Sequence, residues 1–139
     1  MTKRQFIRIL IVEDCVERIE RIQGWLDEDV RLINARSAGI AIGMLKRDQG
    51  EVYQGIMLDF DLQMRPITET DLRMDGDDVV RAINQYVSKS VPILIHSMNR
   101  TEPGRVVNEL EAHGYFVTRI PMSRLTEGAF LDWVEHVRE

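Results

Sequence analysis

Two aspartates, Asp59 and Asp61, close the apolar run GIMLDFDLQ at residues 55–63, with Phe60 between them. A strand that ends in paired carboxylates needs something to offset their repulsion. A second acidic pair, Glu13-Asp14, closes the apolar run FIRILIV at 6–12. His96, Ser97 and Asn99 follow a third run, VPILI at 91–95, and Arg119 lies in a fourth. Carboxylates are the donors a hard divalent cation such as Mg²⁺ takes, usually one or two at a time, alongside phosphate oxygens. Hydroxyl, amide and guanidinium groups donate to a phosphoryl group. The residue types therefore point to phosphate chemistry at a metal-binding aspartate site, with Glu13, Asp14, Asp59 and Asp61 as candidate ligands.

For these groups to meet, the runs that carry them must lie side by side. Phe6–Val12, Val30–Asn34, Gly55–Leu58, Val91–Ile95 and Tyr115–Ile120 are short, apolar and rich in β-branched residues, which predicts five strands. Apolar residues between them recur at helical spacing. Ile19, Ile22 and Leu26 do so after Val16, and Ile40, Ala41, Met44 and Leu45 after Ser37, a good N-cap. Val79, Val80, Ile83 and Val87 make a third helix, and Val106, Val107 and Leu110, between Pro103 and Gly114, a fourth. Phe130, Trp133, Val134 and Val137 mark the last.

Strand then helix, five times, with strands apolar throughout, predicts a three-layer (βα)5 α/β domain whose parallel sheet is covered on both faces. Right-handed crossovers favour the flavodoxin-like strand order 2-1-3-4-5. In such a fold the ligand crevice lies at the carboxyl ends of the strands, where the acids, His96, Ser97 and Asn99 all fall. One segment is irregular. Residues 61–75 (DLQMRPITETDLRMD) are too long for a strand-to-helix loop of about 2–6 residues and read as an insertion or lid.

The bulk composition narrows the class. A chain of 139 residues with 44% hydrophobic and 29% charged residues suits one soluble domain, 1–139. A net charge of −5 argues against duplex nucleic acid, which needs a basic face. The single cysteine, Cys15, excludes an internal disulfide and fits a reducing, cytoplasmic setting. No stretch approaches the roughly 20 apolar residues of a membrane span.

The pattern resembles the receiver domain of two-component response regulators over nearly the whole chain. By that resemblance Glu13 and Asp14 match the acidic pair after the first strand, and Asp59 matches the phospho-accepting aspartate. The carbonyl of Asp61 matches a backbone metal ligand, and Ser97 the hydroxyl that contacts the phosphoryl group. The implied cofactor is Mg²⁺. The implied partners are a sensor kinase or a small phosphate-containing ligand, with a protein partner on the strand 4–helix 4–strand 5 face. The chain departs from the pattern in two places. TRIPM stands where the family has lysine before proline, so Arg119 is one place early, and the loop after Asp59 is long.

Within the receivers, LDFDL, GDDV and ILIHSMN followed by Gly104-Arg105 look like the divergent cyclic-phosphate processing receivers. That likeness adds Asn99 and Arg105 as phosphate-binding residues beside Ser97 and Arg119, and makes a metal-dependent cyclic phosphodiester-processing enzyme an alternative. His96 is the only histidine at the crevice suited to acid or base chemistry. Phe60 stands where that family has a second histidine, which favours phosphate binding or phospho-acceptance. Successive strand side chains point to opposite faces, so His96 and Ser97 share the site only if the strand ends between them. A further alternative is a degenerate receiver that acts only through protein contacts.

Overall fold

The computed structural model describes residues 6–59, 76–97, 102–121 and 124–139. Five strands and five helices alternate: β1 (Ile7–Val12), α1 (Val16–Trp25), β2 (Val30–Ala35), α2 (Ala38–Arg47), β3 (Gly55–Asp59), α3 (Gly76–Tyr86), β4 (Ile93–Ser97), α4 (Glu102–Ala112), β5 (Val117–Pro121) and α5 (Glu127–Arg138). The sheet is parallel in the order β2-β1-β3-β4-β5, as the apolar strands require.

Alternation along the strands sorts the core into two layers. Leu10, Val12, Ile56, Leu58, Ile93 and Ile95 face α2, α3 and α4, packing with Leu45, Ile83 and Leu110. Ile9, Ile11, Met57, Leu94 and Ile120 face α1 and α5, packing with Ile22, Phe130 and Trp133. Gly55 belongs to this second layer. A Cβ there would stand 2.8 Å from Val137 Cγ2 and 3.0 Å from Trp133 Cη2, so glycine is what lets α5 settle on β3.

Local signals end the elements where side-chain chemistry dictates. The Ser37 hydroxyl accepts from the Ile40 N–H at 3.1 Å and caps α2. Gly114 adopts φ +97° after α4, and the Tyr115 N–H bonds back to Leu110 O. That turn delays β5, which begins at Val117 rather than Tyr115. In β4, Pro92 has no N–H to donate, so the strand starts after it and runs on through His96 and Ser97. Val87, read from the sequence as helical, instead bridges Gly50. Among the described residues no helix is long and apolar enough to cross a membrane.

Candidate functional site

Three central strands deliver the site. Ile11 pairs with Met57 and Met57 with Leu94, one row across β1, β3 and β4 in the α1/α5 layer. Two residues further on, where side chains return to the same face, the row reads Glu13, Asp59 and His96. Asp59 and His96 are direct partners in the β3–β4 register. All three are buried, at 0%, 3% and 0% exposure, and one ligand atom from each lies within 4.8 Å of the others. Polar groups this deep at the carboxyl edge of a sheet must be compensated by one another or by a cation.

The compensation comes from α1. Arg18 Nη1 donates to Glu13 Oε1 at 2.5 Å and lies 3.5 Å from Asp59 Oδ2. His96 Nε2 stands 3.6 Å from the same Glu13 oxygen. The other Glu13 oxygen, Oε2, accepts from the Asp14 N–H at 2.9 Å and the Cys15 N–H at 3.3 Å. Cys15, the N-cap of α1, offers no side-chain cap, and the Glu13 carboxylate holds the two amides that lead into the helix. Burial pushes the Glu13 pKa up, but the hydrogen-bonding contact with Asp59, the hydrogen bond from Arg18 and the charges of His96 and Arg18 outweigh it and hold the pKa below the ordinary value. Asp14 moves the other way: burial, then the hydrogen bond and charge of Glu13, raise it.

Of the residues proposed from sequence, the structure brings Glu13, Asp59 and His96 together, with Asp14 half-buried beside them. Ser97 ends β4 opposite Pro121. Asp61, Asn99 and the insertion 61–75 lie outside the described residues. Arg105 projects from α4 toward α3, where its Nη2 donates to Asp77 Oδ1 at 2.7 Å. Arg119 precedes Ile120 of the α1/α5 layer and so belongs to the opposite face. Its guanidinium lies beside Gly104 of α4, 3.6 Å from where a Cβ on that glycine would stand. Among the described residues, the arginine that contacts Glu13 and Asp59 is Arg18. Sequence reasoning passed over Arg18, although a signal was present. Because α1 begins directly after the acidic pair, a basic residue in its first turn stands over the strand ends.

The donor set fits a divalent cation, since two carboxylates on adjacent strands converge with an imidazole. The same oxygens already hold a guanidinium.

No family model and no curated protein matches the chain. Solved structures do. The signal receiver domain of a putative LuxO repressor protein from Vibrio parahaemolyticus superposes with a TM-score of 0.69 at 20% identity, covering 96% of this chain and 91% of that one. A CheY-like response regulator receiver domain protein from Methanospirillum hungatei gives 0.69 at 15% identity, with 94% and 92% covered. The N-terminal domain of a response regulator/sensory box/GGDEF protein from Carboxydothermus hydrogenoformans gives 0.65 at 23% identity, with 94% of each chain covered. None of these neighbours is described as processing a cyclic phosphate, so the narrower resemblance finds no support in them. At these identities the likeness is one of fold, and the chain has the fold of a response-regulator receiver domain.

Proposed function

We propose that the protein is a receiver-like signalling domain that accepts a phosphoryl group on Asp59. The observation that supports this is the placement of Asp59: a carboxylate at the carboxyl end of the central strand, beside a second buried carboxylate and a guanidinium. An Asp59 oxygen would attack the phosphorus of the donor. The new P–O bond forms as the bond from phosphorus to the donor's leaving atom breaks, nitrogen in a phosphohistidine or oxygen in acetyl phosphate, and the leaving group departs with that electron pair. Glu13 fixes the start of α1 through the Asp14 and Cys15 amides and, with no metal bound, holds Arg18 against the Asp59 carboxylate. Glu13, Asp14 and Asp59 would hold Mg²⁺, which when bound neutralises charge on the phosphoryl oxygens. The phosphoryl group would come from a sensor kinase or a small phosphodonor, and the β4–α4–β5 surface would carry the message to a protein partner.

Incubating the chain with Mg²⁺ and acetyl phosphate, then measuring intact mass, tests the proposal. One added phosphoryl group is expected on wild type and none on Asp59→Asn. Unmodified wild type, under conditions that label a control receiver, would sink it. One observation favours a second reading, a receiver that signals by protein contacts without phosphorylation. Every oxygen of Glu13 already has a partner within the fold. The same mass measurement decides between the two.

A further inference from the structure

We infer that Arg18 is the resident counter-ion of the Glu13–Asp59 pair and competes with a divalent cation for it. This rests on the reading that the pair is the cation site. One guanidinium nitrogen of Arg18 contacts both carboxylates, donating to Glu13 Oε1 and standing 3.5 Å from Asp59 Oδ2. Those are oxygens a metal shared by the two side chains would need. Glu13 cannot turn its second oxygen to a metal without giving up the Asp14 and Cys15 amides.

Charge makes the two occupants exclusive. When both are ionised the two carboxylates carry two negative charges, of which Arg18 offsets one, and His96 Nε2 stands 3.6 Å from Glu13 Oε1 as a further positive group when protonated. Adding a divalent ion while Arg18 stays would place two cations against the same oxygens, at distances where like charges repel strongly.

Arg18 also has somewhere to go. Its side chain is 22% exposed, while those of Glu13 and Asp59 are 0% and 4% exposed, so the guanidinium enters the site from the solvent side. Behind it a surface cavity of about 250 Å³ is lined by Cys15, Glu17, Arg18, Arg21, Trp25 and Leu125. Glu17 offers a carboxylate in that cavity. Metal loading would therefore turn the Arg18 side chain from an inward to an outward position between Glu17 and Arg21.

Titrating Mg²⁺ into the full wild-type chain and into Arg18→Gln by calorimetry tests the competition. Glutamine keeps a donor and removes the charge, so the variant should bind Mg²⁺ at least roughly tenfold more tightly, the low end of what one adjacent charge does to a proton equilibrium. Its thermal unfolding temperature should also rise more with Mg²⁺ than that of wild type. In wild type, Mg²⁺ should change the emission of Trp25, which lines the cavity Arg18 enters, and this second readout holds even if Arg18→Gln does not fold. Equal or weaker Mg²⁺ binding in Arg18→Gln overturns this inference alone, as does a Trp25 signal unmoved while wild type binds the ion. If neither protein binds Mg²⁺, this inference and the metal part of the proposed function fall together, and phosphoryl transfer to Asp59 is read separately by mass.

Discussion

Asp59 and His96 stand opposite each other in the parallel register of β3 and β4, both buried and both on the α1/α5 face. That pairing exists because β4 runs two residues past Ile95. The imidazole therefore enters the acidic row from within the sheet, and the helix supplies the cation. Glu13 joins them by the same alternation from β1, and Arg18 closes the group from above.

Glu13 holds the group together from both ends. Glu13→Ala removes the acceptor for two backbone amides and leaves Arg18 facing Asp59 alone. Breaking a buried ion pair on one side costs about 3 kcal/mol, and urea denaturation should show a loss of that order. Glu13→Gln should lose less, because the amide oxygen still accepts from Asp14 and Cys15.

The two neighbouring acids should shape acid stability in opposite senses, measured without added metal. The folded pKa of Glu13 lies below its ordinary 4.5, so its contribution is present above that value and is lost as pH falls through the folded pKa. The folded pKa of Asp14 lies above its ordinary 3.8, so the fold favours its protonated form, and that contribution is lost as pH rises through the folded pKa. Asp14→Asn should therefore raise stability at pH 7 and Glu13→Gln should lower it. A stabilised Glu13→Gln would contradict the assignment of Glu13 as the paired acid.

Gly55 predicts a steric cost away from the site. Gly55→Ala places a methyl 2.8 Å from Val137 Cγ2 and 3.0 Å from Trp133 Cη2, so those side chains or α5 itself must give way. Overpacking of this kind costs about 1–3 kcal/mol. Adding Val137→Ala should recover part of that loss, and a double-mutant cycle of denaturation midpoints would show non-additivity between the two positions.

Tyr53 should ionise late. Burial, then the hydrogen bond to Asp48 Oδ2 at 2.5 Å and the Asp48 charge, push its phenol up to about 12. Burial also raises Tyr115, whose hydroxyl donates to Ile83 O and Val87 O. Since the folded pKa of Tyr53 exceeds the unfolded one, its contribution is intact below pH 10 and is lost as pH rises toward 12. An ultraviolet titration of wild type should contain late phenols, with one fewer in Tyr53→Phe. Asp48→Asn should bring Tyr53 back toward 10.

The helix cap is the simplest case. Ser37→Ala leaves the Ile40 N–H without its acceptor and should destabilise the chain by about 1 kcal/mol in denaturant unfolding, while Ser37→Asp should keep most of the cap.

The fold was written in local patterns. Apolar runs of strand length, helical spacing from Val16 onward, Ser37 before a helix and Gly114 after one are short-range signals, and each element they predicted is present. Because side chains alternate along strands and α/β connections are right-handed, those signals also favoured the sheet order that the structure shows and the edge to which the acids of β1 and β3 come. The choice of cation was not legible in the same way. Arg119 and Arg18 are both arginines near a strand end in the text. Only strand parity, which sets Arg119 on the α4 side, and the docking of α1 over β1 and β3 decide which one reaches the carboxylates. Where β4 begins was likewise settled by pairing rather than by composition. The register with β3, Ile56 opposite Ile93 through Asp59 opposite His96, is what carries His96 into the row with Asp59. Element type follows from residues close in sequence, whereas the make-up of the site depends on which faces meet after the helices pack.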